Sequence, residues 1–300
     1  MSMQTNLPTS LPTPTAAGGL QLRVHDQSVY AYTGGKPFDP RLRSVVFIHG
    51  AQNDHSVWAL QSRYLAHHGF AVLALDLPGH GRSGGAALLS IEAMASWLLA
   101  VLDAAGVGHA SLIGHSMGAL IALEACAQAG AHTGAHTDAH AGPRIGKIAL
   151  LGSAFPMKVS AALLEAAKND EPAAIEMVTK WSHSGIAQKP SCPGPGFYTP
   201  GMHRRLAQRI SAINPDQVYF TDFSACNNYA NGLQAAANIT CPALFICADK
   251  DMMTPFKAAQ GLIKVITGAQ VVKITRSGHA MMAEQPDQVL AALWSFLAGG

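Results

Sequence analysis

Between residues 43 and 275 the chain keeps returning to one unit: a short apolar run rich in Val, Ile and Leu, a turn, and a stretch long enough for a helix. The runs are RSVVFIH (43–49), FAVLALD (70–76), ASLIG (110–114), KIALL (147–151), ALFICA (243–248) and VVKIT (271–275); helix-length stretches stand at 58–68, 118–129 and 286–297. Runs that are apolar throughout, rather than at alternate positions, belong to strands buried on both faces. Strands joined through helices run parallel, because the crossover returns the chain to the same end of the sheet. The expected class is therefore α/β, with a mostly parallel central sheet and helices on both faces. Residues 20–32 alternate more loosely and predict one or two antiparallel edge strands.

Three stretches break the rhythm. Residues 1–19, rich in Pro and Thr, have neither the basic start nor the apolar core of a secretory signal and are expected to form a flexible leader. AHTGAHTDAHAG (131–142) is low-complexity and reads as an exposed loop insertion. His132, His136 and His140 recur every four residues there, but the intervening Gly and Thr disfavour the helix that would align them on a metal. Residues 155–229 carry helical patterns, a Pro/Gly-rich break at 189–201 and no strand–turn–helix unit. They are expected to be a helical cap inserted between two parts of one core, 20–154 and 230–300, over the strand ends where open α/β sheets bind ligands.

Composition removes several function classes. With 49% hydrophobic and 13% charged residues over 300 positions, the chain can bury a large core and is not disordered. Its 20 basic and 18 acidic residues are scattered, with no Lys/Arg run to track phosphates, which argues against nucleic acid. No apolar run approaches the ~18 residues of a membrane span. The five cysteines lack zinc or redox spacing and read as free thiols, so a cytoplasmic location is expected. Neither heptads nor an apolar stripe bears on oligomeric state.

The chemistry concentrates at turns after strands. Gly114-His115-Ser116-Met117-Gly118 is a G-x-S-x-G pentapeptide between a predicted strand and a predicted helix. So tight a turn admits only small residues two before and two after the serine, and it pushes the hydroxyl out to where a base can reach it. A serine hydroxyl needs that base. Among 14 histidines, His279 stands out because it follows a Gly on the loop between the last strand and the last helix. A carboxylate must then orient the imidazole. Asp249 and Asp251 both follow the 243–248 strand, Asp251 lying deeper in its loop.

Taken in order, His49-Gly50 with Trp58, Asp76-Leu77-Pro78-Gly79-His80-Gly81-Arg82-Ser83, the serine pentapeptide, and the Asp251 and His279 loops resemble the α/β-hydrolase superfamily over residues 43–296. The branch it resembles holds carboxylesterases and meta-cleavage-product hydrolases. The resemblance implies a serine hydrolase needing no cofactor or metal. Ser116 is then the nucleophile, His279 the base and Asp251, rather than Asp249, its carboxylate, in the chain order of this fold. It further implies an oxyanion hole from the backbone N–H groups of Ala51 and Met117, with His80 and Arg82 in structural roles. Similar dehalogenases and epoxide hydrolases carry Asp where this chain has Ser116.

A small-molecule ester with an apolar or aromatic acyl group is the expected substrate, since the cap is rich in aromatic and Met side chains and poor in charge. Most of those side chains are expected to pack rather than to line a pocket. Two other readings share the motifs: hydrolysis of a carbon–carbon bond in a vinylogous diketone, and a non-catalytic binding protein.

Overall fold

The computed structural model describes residues 13–15, 18–131, 143–185, 198–214 and 216–299. Its elements follow in chain order. Three strands come first, β1 (Thr13–Thr15), β2 (Gly19–Val24) and β3 (Gln27–Tyr32), then β4 (Arg43–Ile48), α1 (Ala59–His67) and β5 (Phe70–Leu75). Next are α2 (Ile91–Ala104), β6 (Ala110–His115), α3 (Met117–Ala131) and β7 (Ile145–Leu151). Among the described residues four helices then follow without a strand: α4 (Ala161–Asn169), α5 (Glu171–Ser182), α6 (Thr199–Ile213) and α7 (Val218–Asn228). The chain then re-enters the sheet through α8 (Gly232–Ala237), β8 (Ala243–Ala248), α9 (Phe256–Val265), β9 (Gln270–Ile274), α10 (Met281–Glu284) and α11 (Pro286–Ala298).

The nine strands of the described residues form one sheet in the order β1-β2-β3-β5-β4-β6-β7-β8-β9. The pairs up to β3–β5 are antiparallel and the rest parallel. Its register explains the unbroken apolar runs. Leu73, Val46, Leu112, Ile148 and Ala243 are aligned across five strands and belong to one core, against α2, α3, α8 and α9. The next residue of each strand, Ala74, Phe47, Ile113, Ala149 and Leu244, faces the opposite core under α1 and α11. With successive side chains on opposite faces, a strand covered on both sides is apolar at every position. Truncating a ring such as Phe47, which is fully buried, costs about 3–5 kcal/mol in such a core.

One boundary differs from expectation. The edge strand β1 lies inside the stretch expected to be leader, pairing Thr13 with Gln21 and Thr15 with Gly19. Two β-branched threonines and a positive φ at Gly18 close this hairpin, and Pro14 is tolerated because an edge strand needs only half its ladder bonds. The expectations for His132, His136 and His140, for Cys192 and for most of the 189–201 break lie outside the described residues. Cys126, Cys226, Cys241 and Cys247 are buried free thiols.

Helices α4 to α7 sit between β7 and β8 and have a core of their own, in which Leu163, Ile175, Val178 and Tyr219 are buried. Among the described residues no helix is long and apolar enough to cross a membrane.

Candidate active site

β6 ends at His115 and α3 begins at Met117, so Ser116 alone makes the turn, at a left-handed φ of 54°. That conformation costs a non-glycine residue roughly 1–3 kcal/mol and persists only where its surroundings hold it. Ser116 N–H donates to Leu151 O at 2.9 Å, and Ala119 N–H donates to Ser116 O at 2.9 Å. The flanking glycines are sterically required: a Cβ on Gly114 would lie 2.0 Å from Gly118 O, and one on Gly118 would lie 2.3 Å from Ile48 O. The pentapeptide is thus wedged against β4. Among the described residues the Ser116 hydroxyl makes no direct hydrogen bond, and the residue lines a cavity of about 1070 Å³ together with His279.

His279 lies on the loop between β9 and α10, with its Nδ1 2.8 Å from Asp251 Oδ2. Asp251, on the loop after β8, is buried; its Oδ1 accepts from Met253 N and Thr254 N, both at 2.8 Å, and its Oδ2 accepts from Thr254 Oγ1 at 2.8 Å. Burial opposes its charge, but His279 and the Thr254 bonds outweigh that and hold the pKa down at about 2. An ionised carboxylate only accepts, so Nδ1 carries a proton toward it, and in the neutral tautomer the lone pair is on Nε2. The loop is fixed from behind as well, since His115 Nε2 donates to His279 O at 2.9 Å. Burial lowers the His115 pKa to about 3, so that ring is a neutral strut. Asp249 stands elsewhere, exposed, accepting from Ser277 N at 3.1 Å as a turn former.

Ala51 and Met117 both stand near Ser116, one across the cavity lining and one next in the chain. Ala51 lines the same cavity, beside a Gly50 so close that a Cβ there would lie 3.1 Å from Ser116 Cβ. Met117 opens α3, where the first N–H groups of a helix have no partner within it. Neither amide donates a hydrogen bond among the described residues.

The DLPGHGRS loop braces the turn at Gly50. His49 Nδ1 donates to Gly50 O at 2.8 Å, leaving Nε2 to accept from Leu77 N at 3.1 Å. Both bonds need the neutral ring, and burial lowers its pKa to about 4. Asp54, His55 and Asp76 bring potential metal-ligand atoms within 4.8 Å of one another. Their oxygens are already engaged, however. Asp76 accepts from His55 N and Nδ1, each at 2.7 Å, and from Arg82 N at 2.8 Å, while Asp54 accepts from Ser56 N and Arg209. This is a clamp between loops.

Two cavities meet at Ser116. The smaller, about 260 Å³, is lined by Met157, Val159, Leu163, Trp181 and Cys226 and is largely apolar. The larger has a different character: α6 turns His203, Arg205 and Arg209 toward it, and His183 adds another ring, while no Asp or Glu is among its lining residues. His203 Nδ1 is buried without a hydrogen-bond partner among the described residues. Sequence reasoning, which expected few charges from the cap, missed this face. Of the aromatic and Met residues between 155 and 229, Met157, Trp181, Met202 and Phe223 reach the cavities, whereas Tyr219, Phe220 and Met177 pack among the inserted helices. Phe197 lies outside the described residues. Tyr229, where the chain leaves the inserted helices, donates to Glu124 Oε2 at 2.7 Å on α3.

The model of the alpha/beta hydrolase family matches residues 45–292. One relative, an (E)-2-((N-methylformamido)methylene)succinate hydrolase of Acinetobacter baylyi, is 36% identical over a short stretch, 26% of this chain and 29% of that protein. RutD of Klebsiella pneumoniae, named as a carbamate hydrolase, is 26% identical over 81% of this chain and 86% of its own length. Among solved structures, an esterase from Exiguobacterium antarcticum superposes with a TM-score of 0.76 at 19% identity, covering 93% of this chain and 99% of that one; the likeness is one of fold.

Proposed function

The chain belongs to the alpha/beta hydrolase family, and from that premise we propose that it is a serine hydrolase cleaving a carboxylic ester through an acyl-enzyme on Ser116. The observation that carries the reading is that His279, held by Asp251 at 2.8 Å, lines the same cavity that Ser116 enters from its strained turn. In the proposed cycle Ser116 Oγ attacks the carbonyl carbon while His279 Nε2 takes its proton. The tetrahedral oxyanion is held by the Ala51 and Met117 amides. Collapse expels the alcohol, protonated by His279, and a water activated by the same ring releases the acid.

The two cavities support a substrate with unlike arms. One is apolar and small enough for the space of about 260 Å³; the other is polar and uncharged or anionic, facing Arg205 and the neutral His203 ring, with Arg209 already paired to Asp54. The relatives' names include a carbamate hydrolase and an (E)-2-((N-methylformamido)methylene)succinate hydrolase.

The test is burst kinetics with p-nitrophenyl acetate and butyrate. A stoichiometric burst followed by turnover is expected, absent in Ser116→Ala and His279→Ala. A folded wild-type protein that shows neither a burst nor labelling by a fluorophosphonate would refute the serine mechanism. Labelling without ester turnover would shift the reading to the carbon–carbon or carbamate substrates of related enzymes.

A further inference from the structure

We propose that Asp222, on the inserted helix α7, is the positioning residue that sets the Ala51 amide for the oxyanion. The inference rests on the serine-hydrolase reading above and concerns a residue outside the Ser116–His279–Asp251 set. Asp222 is fully buried. Its Oδ2 accepts two hydrogen bonds, one from Gln52 N at 2.7 Å and one from His80 Nε2 at 2.9 Å. Gln52 directly follows Ala51, so the Asp222 bond fixes the peptide plane next to the amide in question.

That turn needs holding. Gln52 has a left-handed φ of 48°, a strained conformation for a side chain of this kind. Its side chain is tied to the same helical insertion, Nε2 donating to Glu171 Oε1 and to Ser211 Oγ, both at 2.7 Å. Three helices, α5, α6 and α7, thus converge on one residue, and only the α7 bond goes to the backbone. The second bond of Asp222 reaches the DLPGHGRS loop. His80 Nδ1 lies 3.0 Å from Pro78 O, so both ring nitrogens face acceptors and the ring is an imidazolium paired with Asp222. His80 in turn packs on the His49 ring at 4.9 Å, and His49 grips Gly50 O. The carboxylate therefore secures the Ala51 turn twice, directly at Gln52 and through His80 and His49. Asp222 Oδ1 has no partner among the described residues, so the burial of this charge is not explained by hydrogen-bond saturation alone.

The experiment measures fluorophosphonate labelling rates and p-nitrophenyl butyrate kinetics for wild type, Asp222→Ala, Asp222→Asn and, as a control within the insertion, Tyr219→Phe. The control loses only the Tyr219 bond to Ala174 O. Loss of one oxyanion donor costs about 10²–10³-fold. Asp222→Ala is accordingly expected to label and turn over about 10²-fold more slowly with KM within about threefold, Asp222→Asn about tenfold, and Tyr219→Phe at the wild-type rate. Amide exchange at Gln52 should rise in step with the loss in rate. The isosteric Asn variant carries the test if the Ala variant does not fold. A folded Asp222 variant that labels as fast as wild type, or one with raised KM and unchanged kcat, would overturn the inference alone. A wild type that does not label would overturn the serine reading and this inference with it.

Discussion

At the strand ends, the polar groups of the site are held by close neighbours in sequence and by partners on adjoining strand ends, as His115 Nε2 holds His279 O. Asp251 is bonded to Met253 N and Thr254 N, two and three residues on, and Ser116 O accepts from Ala119 N three residues away. On the helical side the holding groups are remote. Gln52 reaches Asp222 across 170 positions, His80 reaches it across 142, and Arg209 reaches Asp54 across 155. The first half of the site is assembled as soon as the sheet registers. The second exists only once the insertion has docked, so it ties the geometry of the Ala51 turn to the packing of α5, α6 and α7.

This contrast is broken most directly at the strand ends, where the largest effects are expected. Ser116→Ala should lower kcat by at least about 10⁴-fold while leaving the melting temperature within a few degrees, because Ala keeps the Cβ and the strained turn. Asp251→Asn should cost about 10³–10⁴-fold in kcat, because an amide in place of the carboxylate favours the wrong tautomer of His279. The same isosteric change at Asp222, expected to cost about tenfold, sets the two halves on one scale. Rate assays on matched, folded variants give the ratio, and equal losses at the two aspartates would erase the distinction.

How much of this was legible in the sequence follows the same division. The parallel sheet and the Ser116, Asp251 and His279 loops are written in short contiguous strings: an apolar run, then a turn whose residue types are forced by sterics or chemistry. Gly114 and Gly118 are forced because any Cβ there would strike backbone. Asp222 carried no such mark. It sits in YFTDFSA among residues of an ordinary helix, and nothing local reveals that it meets Gln52. Likewise nothing local marks His203, Arg205 and Arg209 as cavity residues, since residues two apart do not share a helix face; only the docking of α6 brings them to the cavity wall. Strand β1 was hidden for a related reason, since three residues pairing at an edge leave no periodic pattern to find.

Protonation offers a finer comparison. Burial lowers the pKa of His49 to about 4 and of His115 and His203 to about 3. An unfolded chain takes up protons on these rings near pH ~6.5. The unfolded state therefore binds more protons from there down to about pH 4, and stability falls as pH falls through that window. Asp251, lowered to about 2, adds a further loss below the ordinary carboxylate range. His80 works in the opposite sense. Burial opposes its charge, yet Asp222 and Pro78 O outweigh it and raise the pKa, so its contribution is present at low pH and lost as pH rises through the raised value. Melting temperatures should drop steadily from pH 7 to pH 4.5, with His203→Gln flattening that slope, while Asp222→Asn should remove the opposite loss as pH rises through the raised pKa of His80. A wild-type melting temperature independent of pH across this range would contradict the burial of these rings.

The smallest effect is expected at the outer edge of the helical side. Arg209 pairs with Asp54, but its side chain is 55% exposed, whereas that of Asp54 is 2% exposed. A pair with one end in solvent is screened and typically contributes about 0–1 kcal/mol. Asp54 also keeps its bond from Ser56 N at 2.9 Å when the guanidinium is removed. Arg209→Ala should therefore shift the melting temperature by no more than a few degrees, and the shift should shrink at high salt. Its effect on catalysis should lie in KM alone, and more for anionic than for neutral esters, because the residue lines the larger cavity without touching the Ala51 turn. If kcat fell instead, α6 would be steering the turn as α7 does, and the long-range half of the site would hang on more than the Asp222 carboxylate.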